Sequence, residues 1–165
     1  MSRYNDQSAI GEERRRIRRL LWRWGRVTAY CARRQRDIED FQQLIARATD
    51  IHPQALTGMP HGSAISDPTE RAASMVAQLK ERYETRIEGL TADINEELRF
   101  SDAMDVAMQS LDGKEAAIVE LKYKREYSTE RISTATHYSA SRIEQIERGA
   151  VDKPRAYITT EEDEK

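Results

Sequence analysis

Three groups of residues in this sequence have types and spacings suited to chemistry. The stretch MPHGSAISDPTE, Met59 to Glu70, gathers His61, Ser63 and Asp67, the residue types of a hydrolase triad. Towards the other end, Ser128, Ser139, Ser141, Arg142, Gln145 and Arg148 offer hydroxyls, guanidinium groups and a carboxamide. That set can hold phosphates and read base edges. Between Arg14 and Arg36 lie ten arginines and no acidic residue, a density suited to a polyanion.

The elements around each group decide which chemistry is available. A triad needs three converging side chains on a rigid frame, with an oxyanion site nearby. Residues two and four apart in a loop have no such frame. Asp67 also has another task, because Asp67-Pro68-Thr69-Glu70 is a helix start. The Asp accepts from free amides, Pro suits the first helical position, and Glu70 can reach back to the cap's own amide. The sequence shows no phosphate loop, metal cluster or paired-carboxylate site. It therefore reads as non-enzymatic and without a cofactor.

Of the 165 residues, 34% are charged and 38% hydrophobic, too polar for a large globular core. Pro, Gly and Phe are scarce and Glu, Arg, Ala and Ile plentiful, which favours helix over sheet. Cys31 stands alone, so the chain can form neither an internal disulfide nor a Cys-based metal site. No apolar run has signal-peptide or membrane-spanning length. A soluble, cytoplasmic, all-α protein with no membrane partner is expected.

Residues 1–9 read as frayed. Ile17, Leu20, Trp24, Val27, Cys31, Arg34, Ile38, Phe41, Ile45 and Ala48 then recur at steps of three and four, predicting one long helix. Pro53, Gly58, Pro60 and Gly62 punctuate a connector loop over 50–67. A second stripe, Met75, Val76, Leu79, Tyr83, Ile87, Leu90, Ile94 and Leu98, predicts a second long helix packed antiparallel on the first. The expected division is a coiled-coil-like hairpin over 1–100, a small domain over 101–154, and a disordered acidic tail over 155–165.

In the small domain, a brief helix over 102–110 breaks at Leu111-Asp112-Gly113. Helices over 114–123, 128–136 and 139–152 follow, with Ser128 and Ser139 placed as N-caps. The turn at His137-Tyr138 makes this a helix-turn-helix pattern, with Ile118, Val119, Leu121, Ile132, Ala135, Tyr138, Ile143, Ile146 and Ala150 as its core. In such a motif the last helix enters the major groove. Gln145 can pair with adenine, and Arg142 with guanine or phosphate. Residues 112–153 nevertheless hold as many acidic as basic side chains, so the segment by itself lacks a net positive footprint.

The run SASRIEQIERGAVDK resembles the last helix of sigma-factor region 4, with its Ser cap, Arg-Ile pair, Gln-Ile-Glu core and Arg-x-Ala-x-x-Lys ending. The preceding EAAIVELKYKREYSTERISTATHYS is similar to the earlier helices of that domain. The family's Ile-Ala and Leu of the second helix stand here as Ile132-Ser133 and Ala135. Its base-reading positions correspond to Ala140, Ser141, Glu144 and Gln145, of which only Gln145 is typical. The resemblance implies a DNA target unlike a standard −35 element. With LLWRWGRV in the first helix and the MPHGSAISDPTE loop, the whole layout resembles small phage-encoded transcriptional regulators of the ArpU and RinA type. That resemblance implies a DNA-binding regulator in the bacterial host's cytoplasm that acts on double-stranded DNA and activates late phage genes; the hairpin is expected to supply dimerisation, contact with RNA polymerase or extra phosphate contacts.

Two readings of the basic helix stay open. Arg15, Arg19, Arg23 and Arg26 are candidates for phosphate contact. Alternatively the arginines pair with acids of the second helix such as Glu81, Glu84, Glu88, Glu96 and Glu97. Trp22, off the apolar seam, points to contact with another part of the chain or with a partner. Homo-oligomerisation through the hairpin is a further expectation. Two rivals stand beside the regulator: a small terminase subunit that recognises packaging DNA, and a polymerase-binding adaptor that never touches DNA.

Overall fold

The computed structural model describes residues 2–50 and 68–154, all helix and turn, with no strand among them. The helices are α1 (Ser2–Asp50), α2 (Pro68–Met108), α3 (Gly113–Val119), α4 (Thr129–Thr136) and α5 (Ala140–Asp152). A π-helical turn, Glu120–Lys124, extends α3. Among the described residues no helix is long and apolar enough to cross a membrane. The triad-like residues His61, Ser63 and Asp67, the connector loop and the acidic tail lie outside the described residues.

Three boundaries differ from the sequence expectation. The first helix runs from Ser2 rather than from residue 10. The second does not break near Phe100 but continues to Met108. Phe100, Met104 and Met108 recur at four-residue steps and face one core, so no helix-breaking residue interrupts the ladder. The segment 114–123 is not one α-helix: its last turn widens, with the Arg125 amide donating to the Glu120 carbonyl at 3.0 Å.

The chain forms two compact units, residues 31–96 and residues 1–30 with 97–165. The expected boundary at residue 100 instead falls inside α2, and α1 contributes to both units. In the 31–96 unit, α1 and α2 run antiparallel. Arg34 and Leu90 line one groove, and the Phe41 and Tyr83 rings meet with centroids 5.3 Å apart. Ile38 and Leu90 are buried there, whereas Phe41, Ile45, Tyr83 and Ile87 are half-covered. Two helices can cover each other's apolar stripe from one side only.

The other unit has two apolar clusters. Ile118, Ile132, Ile143 and Ile146 close the helix-turn-helix, with Leu121, Tyr127 and Tyr138 against them. Ala135, expected in this core, is exposed. Helix α4 has only two turns and already turns Ile132 inward. The second cluster joins Ile17, Leu21 and Trp24 of α1 to Met104, Val119, Tyr123, Ala150 and Val151. A Cβ on Gly25 would stand 2.0 Å from the Tyr123 carbonyl oxygen, so only glycine lets α1 approach the π-turn so closely.

Candidate nucleic-acid interface

Two serine caps and a left-handed turn hold α4 and α5. Ser128 and Ser139 have extended backbone, and each hydroxyl accepts from the amide three residues on, Arg131 and Arg142, at 3.3 Å. The expected caps are therefore in place. Between the helices His137 is left-handed, with φ 59°, and its amide donates to the Ser133 carbonyl at 2.8 Å. The Ser133 hydroxyl crosses the turn to donate to the Tyr138 carbonyl at 2.6 Å.

With the apolar side of α5 buried, its other side presents Ser141, Arg142, Glu144, Gln145 and Arg148, all exposed. Arg142 Nη1 donates to Gln145 Oε1 at 2.6 Å. A carboxamide needs that oxygen to accept from adenine, so reading adenine requires this bond to open. Arg142 then becomes available to a phosphate or a guanine.

The C-terminal half of α5 is tied to α1. Arg18 donates twice to Glu147, at 2.9 and 3.1 Å, and the Tyr123 hydroxyl donates to the same carboxylate at 2.6 Å. Lys122 Nζ stands 3.4 Å from it. Burial works against ionisation of Glu147, but the hydrogen bonds from Arg18 and Tyr123 and the Lys122 charge outweigh it, holding the carboxyl at about 2. Burial, reinforced by the hydrogen bond to Glu147, pushes the Tyr123 hydroxyl above its ordinary range. Arg14 makes a bidentate pair with Asp152, both bonds 2.7 Å, and Arg26 meets Glu126 at 2.8 Å. Three acids of the C-terminal segment thus face arginines of α1. That supplies cations the segment lacks when counted alone.

The candidates on α1 separate accordingly. Arg23 donates to Glu97, one of the acids expected on α2, and lies 4.1 Å over the Phe100 ring. Arg26 takes Glu126, and Trp22 packs edge-on to Tyr123 with centroids 5.0 Å apart, a contact within the chain. Arg15 and Arg19 are exposed. Sequence reasoning missed Glu147 and Arg18. A signal existed for the first: Glu147 shares a face with Ile143, Ile146 and Ala150, where a carboxylate must find a partner.

Two capped helices joined by a fixed turn, the second showing a polar face, define a helix-turn-helix of the DNA-binding class. Residues 107–156 match the family model of Sigma-70, region 4. The C-terminal helix-turn-helix is therefore of the sigma-70 region 4 type, which points to a DNA-binding regulatory role in transcription. No curated protein and no solved structure matches the chain.

Proposed function

We propose that the protein binds double-stranded promoter DNA through α5 and regulates transcription, as a phage or prophage activator of late genes. The reading is of a binding protein rather than an enzyme. The exposed face of Arg142, Gln145 and Arg148, in the segment that matches Sigma-70, region 4, carries it. The layout similar to ArpU- and RinA-type regulators supports the phage assignment. RNA polymerase is the natural second partner for a domain of this type. Ser139 and the free amides at the start of α5 suit a phosphate, because a helix N-terminus carries partial positive charge. Arg15 and Arg19 can add phosphate contacts from α1.

Binding to fragments of the source genome at two salt concentrations tests this. Wild type should enrich one promoter region, and Arg142→Ala/Gln145→Ala should lose it. Enrichment at a packaging site would favour a terminase subunit, and absence of binding a polymerase adaptor. Indiscriminate, steeply salt-dependent binding unchanged in the variant would place the contact on Arg15 and Arg19 instead. Arg148→Ala should reduce the salt slope by about 1 if that side chain meets a phosphate.

A further inference from the structure

The 31–96 unit has a groove along one side that DNA recognition does not use. Phe41, Leu79, Tyr83 and Leu90 form its apolar floor. Asp37 and Asp40 stand on its α1 rim beside Arg34, and Arg82 and Arg86 on its α2 rim. Leu79 is 38% exposed, and Leu44, one turn on from Phe41, is 40% exposed. Asp37 makes a part-exposed ion pair with Arg34 on its own helix, 3.7 Å long, of the kind that contributes little and can exchange partners. Among the described residues Asp40, Arg82 and Arg86 have no ion-pair partner. The groove is thus apolar along its centre, basic on the α2 edge, and net acidic on the α1 edge, where two aspartates outnumber Arg34.

We propose that a second copy of this chain docks on this groove, face to face, about a two-fold axis running along the helix pair. Charge selects both the occupant and the axis. The antiparallel register sets Asp37 and Asp40 level with Arg86, and Phe41 level with Tyr83. An axis along the helices lays α1 of each copy over α2 of the other at the same level. Asp37 and Asp40 then meet Arg86 and Arg82 of the partner subunit, and the reciprocal contacts form by symmetry. An axis across the helices stacks α1 on α1 and sets aspartates against aspartates, so it is disfavoured. Closing the groove completes a four-helix bundle and covers Phe41, Leu44, Leu79 and Tyr83. The proposal concerns the 31–96 unit and does not rest on DNA binding.

Sedimentation equilibrium on the full chain provides the test. Wild type should be a dimer at concentrations on the order of 10 μM, weakening as salt rises. Asp37→Arg/Asp40→Arg sets arginine against arginine, and Arg82→Glu/Arg86→Glu sets acid against acid. Each should raise the dissociation constant by on the order of 100-fold. An equimolar mixture of the two variants should dimerise again, since each then offers the rim the other lacks. Circular dichroism checks that helix content is kept. If a charge reversal lowers it, Asp40→Asn/Arg86→Gln replaces it, with an expected loss on the order of 10-fold. A monomeric wild type, a dimer that neither reversal weakens, a mixture that stays monomeric, or a ring of many copies would each overturn the proposal.

Discussion

Replacing Glu147 by Gln should cost the fold about 3 kcal/mol at neutral pH, and that cost should vanish in acid. The side chain is 5% exposed and takes two bonds from Arg18 and one from Tyr123. Its carboxyl is held at about 2, against an ordinary value of 4.5. A carboxyl depressed on folding stabilises the native state above its unfolded value and loses that contribution as pH falls through the folded one. The difference corresponds to about 3 kcal/mol, fully present above pH 4.5 and draining away towards pH 2. Breaking one side of a buried ion pair by mutation costs a similar ~3 kcal/mol, so two routes agree. Trp22 and Trp24 are the chain's two tryptophans and both belong to the unit that contains Glu147. Urea unfolding followed by tryptophan fluorescence therefore reports on the right part of the molecule. Wild type and Glu147→Gln should differ by about 3 kcal/mol at pH 7 and converge near pH 2. A gap that stays constant across that range would refute the electrostatic account and leave only lost packing.

Other perturbations have expected outcomes of comparable clarity. Gly25→Ala drives a methyl into the Tyr123 carbonyl and should cost about 3 kcal/mol by urea unfolding. Gly89→Ala, with open space around the new methyl, should instead gain about 0.5–1 kcal/mol; equal effects at the two sites would contradict the close approach. His137→Gly relieves a left-handed side chain and should raise thermal stability by about 0.5–1 kcal/mol, where a loss would mean the imidazole holds the turn in some other way. Ser128→Ala and Ser139→Ala should each cost about 1 kcal/mol as lost caps. Only the second should also weaken DNA binding, measured by fluorescence anisotropy, if the start of α5 meets a phosphate.

Local rules carried the sequence reading where local physics decides. Ser128 and Ser139 cap α4 and α5, and His137 and Tyr138 make the turn, because caps and turns depend on a few neighbouring residues. Ile132, Ile143 and Ile146 meet because periodicity fixes the faces of short helices. Partner choice over long separations could not be read that way. Glu97 of α2 does take Arg23, but Arg18, Arg14 and Arg26 pair instead with Glu147, Asp152 and Glu126, acids the sequence does not single out. Ion pairing has no sequence period, and the choice follows from which helices the apolar core has brought together. The same limit hid the role of Gly25, whose neighbour Tyr123 stands far along the chain. Ala135 faces solvent although its spacing suits the core, because a helix of two turns needs only one large inward residue.

The ends of the described chain form one core, since Ile17, Leu21 and Trp24 share a cluster with Ala150 and Val151. Folding must therefore close a loop of well over a hundred residues, an entropic toll that rises with the logarithm of loop length. The antiparallel pair inside that loop holds Arg34 beside Leu90, and so removes a large part of the intervening chain from the search. The hairpin thus acts as a staple on the conformational entropy of the rest. Hairpin formation should precede docking of α1 onto α5, and variants that loosen the pair should slow refolding of the tryptophan-bearing core even though they touch none of its contacts.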